Sequence, residues 1–285
     1  MAILTNAAQP YMLSVGKADN ARLDALSATY NPLSLEWLRV NNVAQNARFL
    51  DVGCGNGSLT IPIALTYPEM KCVAVDLSIA QVRLAEEKAQ SQEVKNIQWK
   101  VCDVYHLEDL KNEDPELFDI VHSRFVLTHL EKPEEAMDAM LRMLKPGGML
   151  IMEEFGKERE FEMSPGASDK AIQAFEKLVI LQAQLQKSHL MDASRITHHL
   201  QGKVQELKIE TQNAVADTAQ KKAMFLMGAA QGIAKLRELQ LSYKISNFGY
   251  ENGEDWMQDM VELVQDDRRT VTIKNLNYVI AKSHL

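Results

Sequence analysis

The sequence is short of several things, and each shortage excludes something. No apolar run in its 285 residues approaches the roughly 20 needed to cross a bilayer, so no membrane span is expected. The opening residues MAILTNAAQP lack a basic start followed by an apolar core, which predicts no secretory signal. Cysteine is scarce. Cys54, Cys72 and Cys102 form an odd set without CxxC spacing, so a disulfide framework and a cysteine zinc site are both disfavoured, and reduced thiols in a cytoplasmic setting are expected. Positive charge is also in deficit: 31 Lys and Arg against 39 Asp and Glu leave a net charge of −8, which argues against nucleic acid as a partner. His198 and His199 are adjacent, so they point to different sides of a helix, and His189 stands alone; no metal is inferred.

What is present is an ordinary globular composition, 46% apolar and 25% charged. Residues 10–45 read as helical, with Asn31-Pro32 breaking the run. From 48 to 155, short apolar segments alternate with helical ones. The segments RFLDVG (48–53), KCVAVDL (71–77), IQWKVCD (97–103), FDIVHSR (118–124) and MLIMEEF (149–155) read as strands. Helices are expected from Ser58 to Tyr67, after a capping box at Ser78–Gln81, and over 133–144. Strand and helix in alternation mean parallel strands with crossover helices, and strands buried on both faces read as continuous apolar runs. The second half is largely helical over 169–190, 193–200, 218–241 and 254–265, with strands at 204–213 and 270–282. A rival for the sixth strand is 239–246.

The strongest local signal is Leu50-Asp51-Val52-Gly53-Cys54-Gly55-Asn56-Gly57-Ser58, between a strand and a helix. Glycine there permits a sharp turn and close approach of a ligand to backbone. Asp76 ends the next strand, 19 positions beyond Gly57, where a carboxylate can accept from ribose hydroxyls. A dinucleotide fingerprint is GxGxxG; this loop is GxGxG, with Asp51 two residues before the first glycine, where a carboxylate repels a pyrophosphate but suits a cationic ligand.

These residues, with VDLS (75–78), CDV (102–104), FDIVHSRFVLTHL (118–130) and LKPGGMLIMEE (144–154) in that order, resemble the class I S-adenosylmethionine-dependent methyltransferases of the bacterial small-molecule type. The resemblance covers about 110 residues well. It implies an α/β, doubly wound, Rossmann-like sheet of seven strands, mostly parallel with an antiparallel last strand, plus a helical cap. The expected division is a cap at 1–45, a cofactor-binding core at 46–156, a helical lid at 157–202, and C-terminal strands with inserted helices at 203–285. The implied cofactor is S-adenosylmethionine, with S-adenosylhomocysteine as product. Gly53, Cys54, Gly55, Asn56 and Gly57 would line its methionine and ribose, with Asp51 near the sulfonium and amino group. Asp76 would bind the ribose hydroxyls, Leu77 would pack on adenine beside Gln81, and Asp103 with Val104 would meet the adenine edge. Ser123 and Arg124 would reach the methionine part, and Tyr11 would close over the cofactor.

Catalytic candidates are His129 and Glu154. His129 follows the fourth strand and is a candidate base; equally it can orient the loop or cap the next helix. Glu153 and Glu154 end the fifth strand and should point to opposite sides, with Glu154 the better candidate and solvation the alternative for both. Bland readings stand beside others: Asp103 as a helix cap, Arg124 in a structural ion pair, Tyr11 as cap packing. The expected partner is a small-molecule methyl acceptor, and the long C-terminal helices offer a surface for a homodimer. A protein- or RNA-directed methyltransferase and a non-catalytic cofactor-binding scaffold are the alternatives.

Overall fold

The structure is a computed structural model that describes residues 19–112, 115–165, 169–185 and 193–284. The elements in order are α1 (Asn20–Val40), β1 (Arg48–Val52), α2 (Thr60–Thr66), β2 (Lys71–Asp76), α3 (Ile79–Ser91), β3 (Ile97–Val101), β4 (Phe118–Arg124), α4 (Pro133–Leu141) and β5 (Leu144–Ser164). Then follow α5 (Lys170–Leu185), α6 (Ala193–Leu200), β6 (Glu206–Ala216), α7 (Ala219–Glu238), α8 (Gly253–Gln265) and β7 (Thr270–Lys282). Short 3-10 turns lie at Val104–Asn112, Leu127–His129 and Ser242–Phe248.

One seven-stranded sheet has the order β3-β2-β1-β4-β5-β7-β6. The strands from β3 to β5 are parallel, and β7 is antiparallel to both β5 and β6. The order reverses between β1 and β4, the switch point where open sheets of this kind place their ligands. Strand alternation sorts the core into two layers. Phe49, Ile120, Ile151, Tyr278 and Ile280 face α1, α2 and the helices α5, α7 and α8. Leu50, Val52, Val121, Leu150, Met152 and Val279 face α4, α6 and the turn at 104–112.

Three features depart from the expected elements. First, α1 passes through Pro32 instead of breaking there. Side chains on either side of the proline are tied to the core, Asn31 to the Ser58 carbonyl and Ser34 to Glu153, and these tertiary bonds offset the lost helical one. Second, β5 is 21 residues long, so residues up to Ser164, expected in the lid, are strand. The extension resumes pairing after a register shift between Phe155 and Glu160: Phe161 opposes Ile273, Met163 opposes Val271, and Lys274 pairs with Glu162. Third, only half of the capping box at Ser78 forms. Ser78 Oγ accepts from the Gln81 amide, but the Ser78 amide donates to Asp76 Oδ1. The sixth strand is β6 at Glu206–Ala216, and the rival segment is the 3-10 turn at Ser242–Phe248.

The inserted helices pack on the extended β5/β7/β6 region. Phe161, Phe175 and Phe225 meet edge to face, and Trp256 Nε1 donates to the Ala171 carbonyl at 3.1 Å. Lys222 of α7 is buried, and its ammonium, which burial pushes down in pKa, donates to the carbonyls of Asp266 (2.6 Å) and Arg269 (3.1 Å) just past α8. It thus holds the chain between α8 and β7. Replacing it by Met keeps the apolar stem but leaves two carbonyls without that donor. Lys222→Met should lose about 1–3 kcal/mol of stability in urea denaturation; an unchanged midpoint would show that water serves those carbonyls equally well.

Candidate active site

The turn between β1 and α2 lies at the C-terminal ends of the parallel strands. Its three glycines all have left-handed backbone, with φ of 74° at Gly53, 54° at Gly55 and 71° at Gly57. At Gly57 the space is closed as well: a Cβ would lie 2.6 Å from the Trp99 ring and 3.0 Å from the Ala85 methyl. The amides of Gly53 and Cys54 both donate to the Val75 carbonyl, at 2.8 and 2.9 Å, which locks the turn against β2. Asp76 then ties three parts together. Its Oδ2 accepts from the Gly55 amide at 2.9 Å and its Oδ1 from the Ser78 amide at 2.8 Å. Burial pushes its carboxyl up in pKa, opposed by those two amides.

Beside Asp76 the surface turns apolar. Leu77 just past β2, Ile79 at the start of α3 and Val101 at the end of β3 are 68%, 54% and 52% exposed. Val101 pairs with Asp76 in register, and Asp103 follows two residues later. Asp103 Oδ1 accepts from the Tyr105 amide at 3.0 Å, so it caps the 3-10 turn, while Val104 is buried. Asn56 is buried, and its side-chain amide donates to Asn20 of α1. Cys54 is buried, its thiol pushed up by burial and by the charges of Asp51 and Asp76. The side-chain oxygens of Ser123 and Gln81, and Oδ1 of Asn56, are buried without a hydrogen-bond partner. Buried polar atoms in a folded protein are normally paired, so orphans around one loop suit a ligand that completes them.

Beneath the loop, on the α1 face, the polar residues have each other. Asp51 is 3% exposed; its Oδ2 accepts from Thr60 Oγ1 at 2.6 Å and its Oδ1 is 3.0 Å from His122 Nδ1. The other ring nitrogen of His122 is 2.9 Å from Glu153 Oε1. Ser34 of α1 donates to Glu153 Oε2 at 2.9 Å, and Arg124 donates to Ser34 at 3.1 Å and to Asn31 at 2.9 Å. Burial alone would push the His122 imidazole down, but its hydrogen bonds to Asp51 and Glu153, and their charges, raise it to about 9. Each oxygen of Asp51 therefore has a partner within the protein, and Arg124 is held by α1. The sequence reading does not single out His122, and it ranks Glu153 behind Glu154. The available signal was their phase: with Asp51, they stand on the same alternation of strands otherwise read as apolar.

Glu154 faces the opposite layer and is 1% exposed, as is Glu153, so neither is solvated. This corrects the solvation alternative: β5 is a central strand covered on both faces at this point. Glu154 Oε1 accepts from the Leu127 amide at 2.8 Å, and Oε2 is buried without a partner. Burial raises its carboxyl to about 8, opposed by the amides of Leu127, Val126 and Thr128. Glu154 thus props the turn after β4, in which His129 is exposed. That turn begins with Phe125 in left-handed backbone (φ 57°), its ring stacked on Phe155 at 5.0 Å, with the Tyr30 ring edge-on to both. Tyr11 lies outside the described residues.

Comparison with known proteins agrees with this geometry. A family model described as a methyltransferase domain matches residues 44–224. A malonyl-[acyl-carrier protein] O-methyltransferase of Halalkalibacterium halodurans is 32% identical over 116 residues, 40% of this chain and 41% of that protein. A ubiquinone biosynthesis O-methyltransferase of Paracidovorax citrulli is 32% identical over 121 residues, 42% of this chain and 49% of that protein. The match thus spans less than half the length of either relative. Among solved structures, the YcgJ protein of Bacillus subtilis superimposes with a TM-score of 0.58 at 15% identity, over 90% of this chain and 99% of that one. Phosphoethanolamine N-methyltransferase 2 of Haemonchus contortus, in complex with S-adenosyl-L-methionine, gives 0.52 at 19% identity over 90% of this chain and 53% of that one. At these identities the two structures establish the shared fold.

Glu154 generates a pH prediction. Its folded pKa is raised, so the folded state holds a proton that the unfolded chain releases near pH 4.5. That contribution to stability is complete below pH 4.5 and is lost as pH rises through about 8. Glu154→Gln is neutral at every pH and lacks this slope. Between pH 5 and pH 9 the wild type should lose more stability than Glu154→Gln in paired urea titrations; parallel losses would mean that the carboxyl is already ionised at pH 5.

Proposed function

The chain belongs to the methyltransferase-domain family, and from that premise we propose that it transfers the methyl group of S-adenosylmethionine to a nucleophilic atom of a small-molecule acceptor. The observation that carries this reading is the left-handed glycine turn anchored to Asp76 beside an open apolar lip. Asp76 keeps lone pairs beyond the two that its amide partners use, enough for ribose hydroxyls. Leu77, Ile79 and Val101 offer exposed apolar side chains for a purine, and Asp103 lies two residues beyond Val101. The unpartnered oxygens of Ser123 and Asn56 supply polar groups around the turn. The chemistry of these residues suits the cofactor.

Bound S-adenosylmethionine supplies a methyl group already activated by its sulfonium charge. The protein's tasks are therefore alignment and exclusion of water. Phe125 just past β4, Phe155 within β5 and Tyr30 of α1 form an aromatic wall, which suits an acceptor with an apolar body. The helices α5, α7 and α8 stand over the extended strands on the same side. Glu154 acts on this wall through the turn backbone that it holds. His129, at the exposed end of the turn, is a candidate base for an acceptor that keeps its proton during attack. The net charge of −8 favours a small acceptor over RNA.

Calorimetry tests the cofactor half. S-adenosylmethionine should bind the wild type, and Asp76→Ala should weaken binding at least about tenfold, which corresponds to ~1.4 kcal/mol. No binding by the wild type, or equal affinity in the variant, would refute the assignment. Release of S-adenosylhomocysteine across a panel of small acceptors tests the transfer itself.

A further inference from the structure

The polar residues under the glycine turn form a closed circuit. From Thr60, at the start of α2, the path runs to Asp51 (2.6 Å), to His122 (3.0 Å), to Glu153 (2.9 Å) and to Ser34 (2.9 Å). It continues from Ser34 to Arg124 (3.1 Å), to Asn31 (2.9 Å), and back to the Ser58 carbonyl (2.6 Å), two residues before Thr60. The path links β1, β4, β5 and α1, and returns to the turn proposed to hold the cofactor. We propose that His122 is a positioning residue for methyl transfer: as an imidazolium donating from both ring nitrogens, it closes the circuit that fixes the base of the cofactor turn to α1. The inference rests on the methyl-transfer reading above.

The chemistry of the partners dictates the protonation state. Ionised carboxylates only accept hydrogen bonds, and a neutral imidazole has one N–H. With ionised carboxylate oxygens at 3.0 and 2.9 Å from its two nitrogens, His122 donates to both only when it carries both protons. Charge then alternates around the circuit: Asp51 negative, His122 positive, Glu153 negative, Arg124 positive. Removing the His122 proton leaves two carboxylates flanking a neutral ring in a buried site, which costs far more than the same loss at the surface.

The titratable groups that feel the charges of Asp51 and Glu153 do not compete for that proton. The Tyr278 phenol on β7 is pushed up by burial and by the Glu153 charge. Burial and the Asp51 charge push the Cys72 thiol on β2 up to about 12, and the Cys54 thiol is also raised well above its usual value. Thr60 does not titrate, and the Phe49 ring lies 5.8 Å from the imidazole, nearly parallel to it. With His122 raised to about 9, the circuit is intact near neutral pH. Its contribution to stability is complete below pH 6.5 and is lost as pH rises through about 9.

Two variants separate charge from connection. Glu153→Gln keeps the size and an accepting oxygen but removes one flanking charge. Ser34→Ala cuts the circuit at α1 and leaves both carboxylates beside the ring. Two measurements are made on the full chain: NMR titration of the His122 ring C–H, and calorimetric affinity for S-adenosylmethionine from pH 6 to 10. In the wild type, the ring should titrate near pH 9 and affinity should fall over the same range. Glu153→Gln should move both midpoints down together by about one unit or more. Ser34→Ala should weaken cofactor binding several-fold while leaving the ring midpoint in place. A purely structural bond would lower stability in both variants without shifting the alkaline limb of binding. A ring that titrates near 6.5 in the wild type, or a Glu153→Gln limb that does not move, overturns the proposal. If the wild type binds no S-adenosylmethionine at any pH, the methyl-transfer reading fails and the positioning role falls with it, whereas a ring midpoint near 9 would still establish the imidazolium.

Discussion

Two buried carboxylates with an imidazole between them impose the constraint on which the centre of this molecule depends. Asp51, His122 and Glu153 stand on three neighbouring strands, each nearly inaccessible to water. An isolated charge in such a place would be expelled or neutralised. Each is retained because a neighbour of opposite sign or a hydrogen-bond donor meets it. Asp51 receives Thr60, and Glu153 receives Ser34, which Arg124 in turn supports. The group therefore requires α1 in place: without Ser34, Glu153 would have an oxygen facing no donor from that side. This accounts for the continuous helix across Pro32, whose flanking turns carry Asn31 and Ser34.

The two faces of the sheet divide the work at the strand ends. On the α1 face the residues are charged and joined in a circuit. On the opposite face Glu154 stands alone, held neutral near pH 7 by burial, and accepts from the turn after β4. One strand thus supplies adjacent glutamates in different surroundings, one flanked by an imidazole and a hydroxyl donor and one in an apolar layer. The 3.3 Å rise and alternating directions of a strand are sufficient to separate them. Between the two faces lies the turn that begins with the left-handed Phe125. It is fastened below by Glu154 and above by aromatic contact with Tyr30 and Phe155.

Much of this was legible in the sequence because it rests on local rules. Buried parallel strands read as apolar runs, and the glycine spacing with Asp76 located the turn. The antiparallel last strand followed from the resemblance. The parts that were not legible depend on distance in sequence. Pro32 looks like a break when only its own helix is considered; the bonds that carry the helix through it come from Ser58 and Glu153. The extension of β5 to Ser164 was hidden because its segment is rich in charge, and only pairing with β7 makes a strand of it. Asp51 was read as a ligand for a cation. The cation that it meets is His122, 71 residues away, and neither residue reveals the other except through a shared phase on strands that should hold no charge at all.

The residues beyond a minimal sheet have a connected role. α7 packs along α1, and Gln231 of α7 donates to Asp19 at 2.8 Å, an aspartate also paired with Arg22. Further along α1, Asn20 meets Asn56 of the glycine turn, Asp24 pairs with Lys88 of α3, and Trp37 donates to Glu210 of β6. One helix therefore touches the inserted helices, the turn, the buried circuit and the far edge of the sheet. Apart from the exposed Glu36–Arg39 pair, most of its hydrogen-bonded polar side chains are fastenings to other elements. Read for apolar periodicity alone, α1 appears to be a simple cap. Its position is set mainly by the groups it bonds, and those groups include the ones that shape the proposed cofactor turn.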